Sequence, residues 1–287
     1  MPLFRRLLRL PFVRLSASVL VFLAPHAAHA SQTLVVSAAA SLTQAFNAVG
    51  TVFEKQHPGT QVLLNYGASD VLMQQIAHGA PVDVFASADQ KAMDRAVAEN
   101  VVVSATRADF AANSLVLIVP SDSRFAPASL AALNAPSIKR VAYGDPASVP
   151  AGRYTQGALM AAGVWPAVSA KGVLAANVRQ SLDYVARGEV DAGFVFGTDA
   201  ALMPQRVKVV LTVATPTPIT YPLAQVAGSR QPALAQAFIA FVRSPAGQAL
   251  LSQYGFKPAV SVNSVNSANS AASVTATTPP PATTITR

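Results

Sequence analysis

Residues 144–154, Gly144-Asp145-Pro146-Ala147-Ser148-Val149-Pro150-Ala151-Gly152-Arg153-Tyr154, decide how the chain is read. They run as a strand end, a proline-stiffened loop and the start of a helix built from small residues. Such a start leaves backbone N–H groups without intrahelical partners, and the helix dipole makes that end attractive to anions. Two further starts of the same kind stand at Ser37-Ala38-Ala39-Ala40-Ser41-Leu42 and at Asn65-Tyr66-Gly67-Ala68-Ser69-Asp70. Brought to one place, these uncharged donors would make a site for a small, fully ionised oxyanion.

Outward from these starts, short apolar, β-branched runs alternate with helical patterns. Strands are expected at Thr33–Ser37, Gln61–Asn65, Val82–Ala86, Ser114–Val119, Arg140–Tyr143, Ala192–Phe196, Val207–Val213 and Leu223–Ala227. Between them Leu42, Phe46, Val49 and Phe53 recur at helical spacing and form one apolar stripe. Val178, Leu182 and Val185 do the same, as do Leu234, Phe238 and Phe241. This alternation implies an α/β fold of mostly parallel sheets covered by helices. The stretch Asn113–Pro120 leaves the first lobe with no helix following at once, and the Pro-rich Ala214–Pro222 reads as a linker back. Two crossings give a discontinuous domain: 31–113 with 224–257 as one lobe, 114–223 as the other. Open α/β sheets bind ligands in the crevice between such lobes.

The two ends read differently. Arg5, Arg6, Arg9 and Arg14 precede an apolar core, Ser16 to Ala24, too short to span a bilayer comfortably. Ala28-His29-Ala30 fits the small-x-small cleavage rule, so residues 1–30 are expected to be a signal peptide and the mature chain to start at Ser31. From about residue 258 the composition turns to Ser, Asn, Ala, Thr and Val, then Pro279-Pro280-Pro281, which predicts a disordered tail over 258–287. The net charge of +8 includes four arginines of the leader, which carries no acid, so the remainder stands at +4. That surplus forms no basic run, which argues against nucleic-acid binding and favours only a mild gathering of small anions. There is no cysteine, hence neither disulfide nor lipid-bearing thiol, and a soluble exported protein of the periplasm is the expectation.

Catalysis would need a base for Ser41 or Ser69. Outside the leader the chain has only His57 and His78. Each stands just before a Pro-Gly or Gly-Ala-Pro turn and reads as a helix C-terminal residue, at the far end of the helix from the serines. No spaced set of His, Cys or acids suggests a metal site. A secreted serine hydrolase therefore remains a remote alternative, and no cofactor is expected. Ser41 and Ser69 have a structural alternative too, as N-caps of their own helices. Asp70 is read as a first-turn acid that points away from any anion, and Asn177 as an N-cap before Val178.

The chain resembles the periplasmic molybdate-binding proteins of bacterial ABC importers. The resemblance runs from about Leu34 to Phe256. It rests on Ala38-Ala39-Ala40-Ser41-Leu42-Thr43, on residues 79–89 (Gly-Ala-Pro-Val-Asp-Val-Phe-Ala-Ser-Ala-Asp), and on Gly144-Asp145-Pro146 with Val149-Pro150-Ala151-Gly152. It continues in Asn177-Val178-Arg179, in residues 193–200, in Tyr221-Pro222 and in Tyr254-Gly255-Phe256. It implies the two-lobed, type II periplasmic binding protein fold, no enzymatic activity, and a monomer that carries molybdate or tungstate to an inner-membrane permease. The oxyanion would be held by the Ser41 and Ser69 hydroxyls and by the amides of Ser41, Ser69, Ala151 and Val178, with no protein-coordinated metal cation. The position of the family's tyrosine is occupied by Phe196, which lacks the hydroxyl. That departure leaves room for another tetrahedral oxyanion, such as sulfate, and Tyr66 or a water is a candidate replacement donor.

Overall fold

A computed structural model of the chain describes residues 32–259. The expected leader, 1–30, lies outside the described residues, as does the expected tail apart from residues 258 and 259.

The first lobe opens with β1 (Gln32–Ala39), which passes through a single 3-10 turn (Ala40–Leu42) into α1 (Thr43–Gln56). It continues with β2 (Thr60–Gly67), α2 (Ser69–Ala77), β3 (Val84–Ala86), α3 (Gln90–Ala98) and β4 (Ala108–Asn113). A single residue, Ser114, separates β4 from β5 (Leu115–Pro120), the first strand of the second lobe. That lobe adds β6 (Val141–Gly144), α4 (Pro150–Ala161), α5 (Trp165–Ser169), β7 (Gly172–Ala175) and α6 (Val178–Ala186). It closes with β8 (Ala192–Phe196), the short α7 (Gly197–Ala200) and β9 (Val207–Val213). The chain then returns through β10 (Ile219–Gln225) and ends in α8 (Pro232–Arg243) and α9 (Pro245–Gln253).

Two five-stranded sheets result, ordered β2-β1-β3-β10-β4 and β7-β6-β8-β5-β9. They are mixed rather than mostly parallel. In the first, β1 pairs parallel with β2 and β3, whereas β10 runs antiparallel to β3 and β4. In the second, β6 pairs parallel with β7 and β8, whereas β5 runs antiparallel to β8 and β9. Helical crossovers generate the parallel half of each sheet. The antiparallel half comes from the strands where the chain crosses between lobes, since each crossing delivers a strand into the neighbouring sheet against its direction.

The second crossing lies earlier than the linker reading placed it. Ile219–Gln225 belongs to the first sheet, so the second lobe ends near Val213 and not at residue 223. Pro222 suits this strand because the register shifts between Tyr221 and Pro222, and a bulge tolerates the missing N–H. The apolar stripes pack as their spacing predicts. Leu42, Phe46, Val49 and Phe53 are fully buried, and Phe53 meets Phe238 of α8 edge-on, with ring centres 5.2 Å apart. Each such phenylalanine contributes about 1.5–3 kcal/mol through burial, and this contact ties the C-terminal helices to the first lobe. No helix among the described residues is long and apolar enough to cross a membrane.

Candidate functional site

The carboxyl ends of β1, β2, β6 and β7 all face the cleft between the sheets, and the chain turns there into helix starts. Ser41, Ser69, Ala151, Val178 and Phe196 line one small cavity at this place, and none of the five is more than 4% exposed. The remaining lining residues are small or apolar apart from Asn177, and no charged side chain is among them. The space left is about 10 Å3, close to what a single water fills. A compact guest enters such a space only as the lobes part.

Neither serine caps a helix. The 3-10 turn begins after Ala39 without a side-chain cap, and α1 begins after Leu42 in the same way. Ser41 lies inside the turn, and its Oγ stands 3.1 Å from the Tyr221 hydroxyl. Ala68 precedes α2, so Ser69 is that helix's first residue and its amide has no intrahelical partner. The Ser69 Oγ accepts from the Ala88 amide at 3.1 Å. In α4, Val149 supplies no cap and Pro150 occupies the first turn, which leaves the Ala151 amide unspent. Asn177 does cap α6: its Oδ1 accepts from the amides of Arg179 and Gln180 at 2.9 and 3.1 Å. The amide of Val178, the helix's first residue, is left over.

The charged groups nearby are spent on one another. Asp70 is buried and turned out of the cavity, with Oδ2 2.6 Å from Nη2 of Arg153. Arg153 Nε donates to Asp89 Oδ2 at 2.7 Å. This arginine belongs to the second lobe and both carboxylates to the first, so the pairing spans the cleft. Burial pushes the Asp89 carboxyl above its ordinary range, opposed by the Arg153 charge. Arg179 also spans the cleft: its Nη2 donates to the Ser41 carbonyl at 3.1 Å and to Gln44 Oε1 at 2.7 Å. Its Nε lies 2.5 Å from Asp199 Oδ1, but this ionic contact is too poorly directed to satisfy either atom as a hydrogen bond. Complete burial raises the Asp199 carboxyl to about 6, with Arg179 pulling the other way.

Tyr66 is not a replacement donor, because its single hydroxyl proton faces acceptors on α1, Asn47 Oδ1 at 2.8 Å and the Thr43 carbonyl at 3.1 Å. His57 and His78 are the residues that terminate α1 and α2, and each Nδ1 faces a backbone carbonyl of its own helix. Neither lines the cavity. The site residues that sequence reading missed are Tyr221 and Asn113. Tyr221-Pro222 formed part of the quoted pattern, but no local signal shows that the hydroxyl reaches Ser41 from a strand 180 positions away. A larger cavity lies elsewhere on the first lobe, bounded by Asp83, Glu99 and Arg230. Its buried acid, Asp83, is spent on the Val35 and Gln231 amides and the Ser229 hydroxyl.

Two α/β lobes joined by two crossings, with donor-bearing helix starts facing each other across a closed cleft, define a binding protein. The chain belongs to the bacterial extracellular solute-binding proteins, whose family model matches residues 34–257. It is accordingly a solute-binding protein and not an enzyme.

Among its relatives is the molybdate-binding protein ModA of Escherichia coli K12, 38% identical over 234 residues, covering 78% of this chain and 88% of that protein. The substrate-binding domain of a putative molybdenum ABC transporter from Clostridium difficile is 35% identical, with a TM-score of 0.62 over 80% of this chain and all of that one. The sulfate-binding protein SubI of Mycobacterium tuberculosis H37Rv shares the fold at a TM-score of 0.70, 21% identity, 83% of this chain and 91% of that one. These relatives bear out the family resemblance read from the motifs and the two-lobed fold it implied.

Proposed function

We propose that this protein is a periplasmic carrier that captures molybdate, and tungstate with it, through neutral hydrogen-bond donors and delivers it to an ABC permease. The observation that carries the reading is the cavity itself, with two serine hydroxyls, four helix-start amides and no charged side chain on its wall. Six donors to a dianion, at about 1.5–3 kcal/mol each, give roughly 9–18 kcal/mol gross. Dehydration of the anion and closure of the lobes over it offset much of that, so micromolar to nanomolar binding, about −8 to −12 kcal/mol, is expected. Molybdate and tungstate carry no proton at neutral pH and are nearly equal in size. Sulfate has the same charge and shorter bonds, and donors fixed at helix ends discriminate by size. The names of the two relatives above 30% identity, a molybdate-binding protein and a molybdenum transporter domain, support the same reading.

Ligand bridging the lobes stabilises the closed form by binding it better than the open one. The closed form is then what a permease recognises. Export by cleavage after Ala30 and action as a monomer complete the proposal. Phe196, lacking a hydroxyl in the cavity wall, favours one second reading: the same fold tuned to another tetrahedral oxyanion such as sulfate. Calorimetric titration of the purified protein with molybdate, tungstate, sulfate and phosphate separates the two. Molybdate and tungstate are expected to bind alike and at least about 100-fold more tightly than the others, a difference of about 2.7 kcal/mol. A preference for sulfate or phosphate ends the molybdate assignment.

A further inference from the structure

We infer that Tyr221, itself oriented by Asn113, and the Ala88 amide fix the hydroxyl protons of Ser41 and Ser69 toward the cavity, so that both serines act as donors and the site disfavours an anion that carries a proton. The inference rests on the reading of the cleft as an oxyanion site and deepens it. Hydroxyls both give and accept, so two serines alone do not make a donor-only wall. Their neighbours bias both toward donating.

The direction of each bond follows from what the partners are able to do. Asn113 Oδ1 accepts from the Ser114 amide at 2.9 Å, which fixes the orientation of the side-chain amide. Its Nδ2 therefore faces Thr198 Oγ1 at 2.9 Å and the Tyr221 hydroxyl at 3.2 Å, and an amide nitrogen only donates. Among the described residues the buried Tyr221 hydroxyl has one other partner, Ser41 Oγ at 3.1 Å. The phenolic proton has to be given to an acceptor or its burial is penalised, and Ser41 is the acceptor on offer. Complete burial, with the Asp199 charge adding to it, pushes the phenol well above its ordinary range, so it stays protonated. Ser41, accepting from Tyr221, is left with a proton to give and no protein acceptor for it among the described residues.

Ser69 is held in the same state by different means. The Ala88 amide donates to its Oγ, and a backbone N–H does nothing else. Its own proton is again unspent. The bonds that orient both serines join residues of the first lobe, so the donors are set before the lobes close. Hydrogen phosphate at neutral pH brings an O–H that needs an acceptor. Here it would meet two hydroxyls that each already accept one bond from the protein and keep their proton for the guest, so both serve an anion chiefly as donors.

A double-mutant cycle on the purified protein tests the relay, with molybdate and inorganic phosphate titrated into wild type, Tyr221→Phe, Ser41→Ala and the double variant. Tyr221→Phe keeps the ring and deletes one oxygen. It is expected to weaken molybdate binding about tenfold and to narrow the molybdate-over-phosphate ratio by a similar factor, because Ser41 then loses the bond that orients its proton and gains a second free accepting position. In the Ser41→Ala background the same change should move molybdate affinity less than about twofold, since its target is gone. A purely structural role for Tyr221 predicts instead additive losses and an unchanged ratio, and that result overturns the relay. Should Tyr221→Phe fold poorly, Asn113→Asp keeps the shape, puts an accepting oxygen where the donating nitrogen stood, draws the phenolic proton away from Ser41 and must shift the ratio in the same direction; an unshifted ratio again overturns it. A wild type that prefers sulfate defeats the molybdate reading alone, and the cycle is then run with sulfate. A wild type that prefers phosphate defeats the relay.

Discussion

Phe196 ends β8 against the cavity, its ring set edge-on to Tyr221 at 5.8 Å and to Tyr154 at 6.3 Å. A tyrosine there would add a donor to a wall otherwise made of small residues. A hydrogen bond to a charged partner is worth about 1.5–3 kcal/mol, so Phe196→Tyr is expected to tighten molybdate binding about tenfold or more by calorimetry. Unchanged or weaker binding would mean either that the new hydroxyl overfills the space or that Ser41, oriented from behind by Tyr221, already supplies what is needed. The thermal midpoint of the ligand-free variant distinguishes these, because overfilling lowers it. At this scale the site was half legible. Serines beside small residues at a helix start mark donors in any sequence. A hydroxyl that acts through another hydroxyl, from a strand far along the chain, leaves no local mark.

The start of α4 shows how an element sets a donor in place. Gly152 sits in the helix's first turn directly over the end of β6, and a Cβ there would overlap the Gly144 carbonyl. Backbone cannot swing aside as a long side chain does. Gly152→Ala is therefore expected to lift the helix start, cost about 1–3 kcal/mol and lower the melting midpoint by several degrees. It should also weaken molybdate at least about tenfold as the Ala151 amide moves out of place. Gly157→Ala, on the same helix, meets only Pro216 at ordinary contact distance, 3.6 Å. There the gain in helix propensity makes a neutral or stabilising outcome the expectation. Equal losses in the two variants would show that helix rigidity, and not the seat on Gly144, controls the amide.

Elements with their own periodicity could be read from the sequence, and those defined by their partners could not. The stripe from Leu42 to Phe53 and the run Ala192–Phe196 need no neighbour to be recognised. Ala108–Asn113 is half alanine and carries a charge, and it is a strand because β10 pairs with it. Gly172–Ala175 is a four-residue edge strand. Ile219–Gln225 hides behind Pro218 and Pro222, which signal a linker locally.

Across the whole molecule, two arginines of the second lobe hold the cleft shut. Arg153 grips Asp70 and Asp89 with its side chain only 12% exposed, and Arg179 reaches the Ser41 carbonyl and Gln44. Arg153 thus neutralises carboxylates across the cleft, Arg179 grips neutral oxygens there, and neither lines the cavity, which leaves the guest to neutral dipoles. It follows that closure and binding are coupled through Arg153. Without it, Asp70 and Asp89 would lie buried and close together in the closed form, Asp70 left with only a long contact to Arg95 at 3.8 Å and Asp89 with its cap on the Ala92 amide. Breaking one side of such a pairing costs about 3–5 kcal/mol, whereas in the open form water solvates both acids. Arg153→Met keeps the apolar stem and deletes the charge. It should shift the ligand-free protein toward the open form, and affinity falls in proportion to the closed fraction lost. The expected result is molybdate binding weakened at least about tenfold and a larger radius of gyration without ligand by solution X-ray scattering. Asp70→Asn added to Arg153→Met removes one of the two stranded charges and should restore part of the loss. An unchanged affinity and radius in the single variant would show that the pairing follows closure without contributing to it.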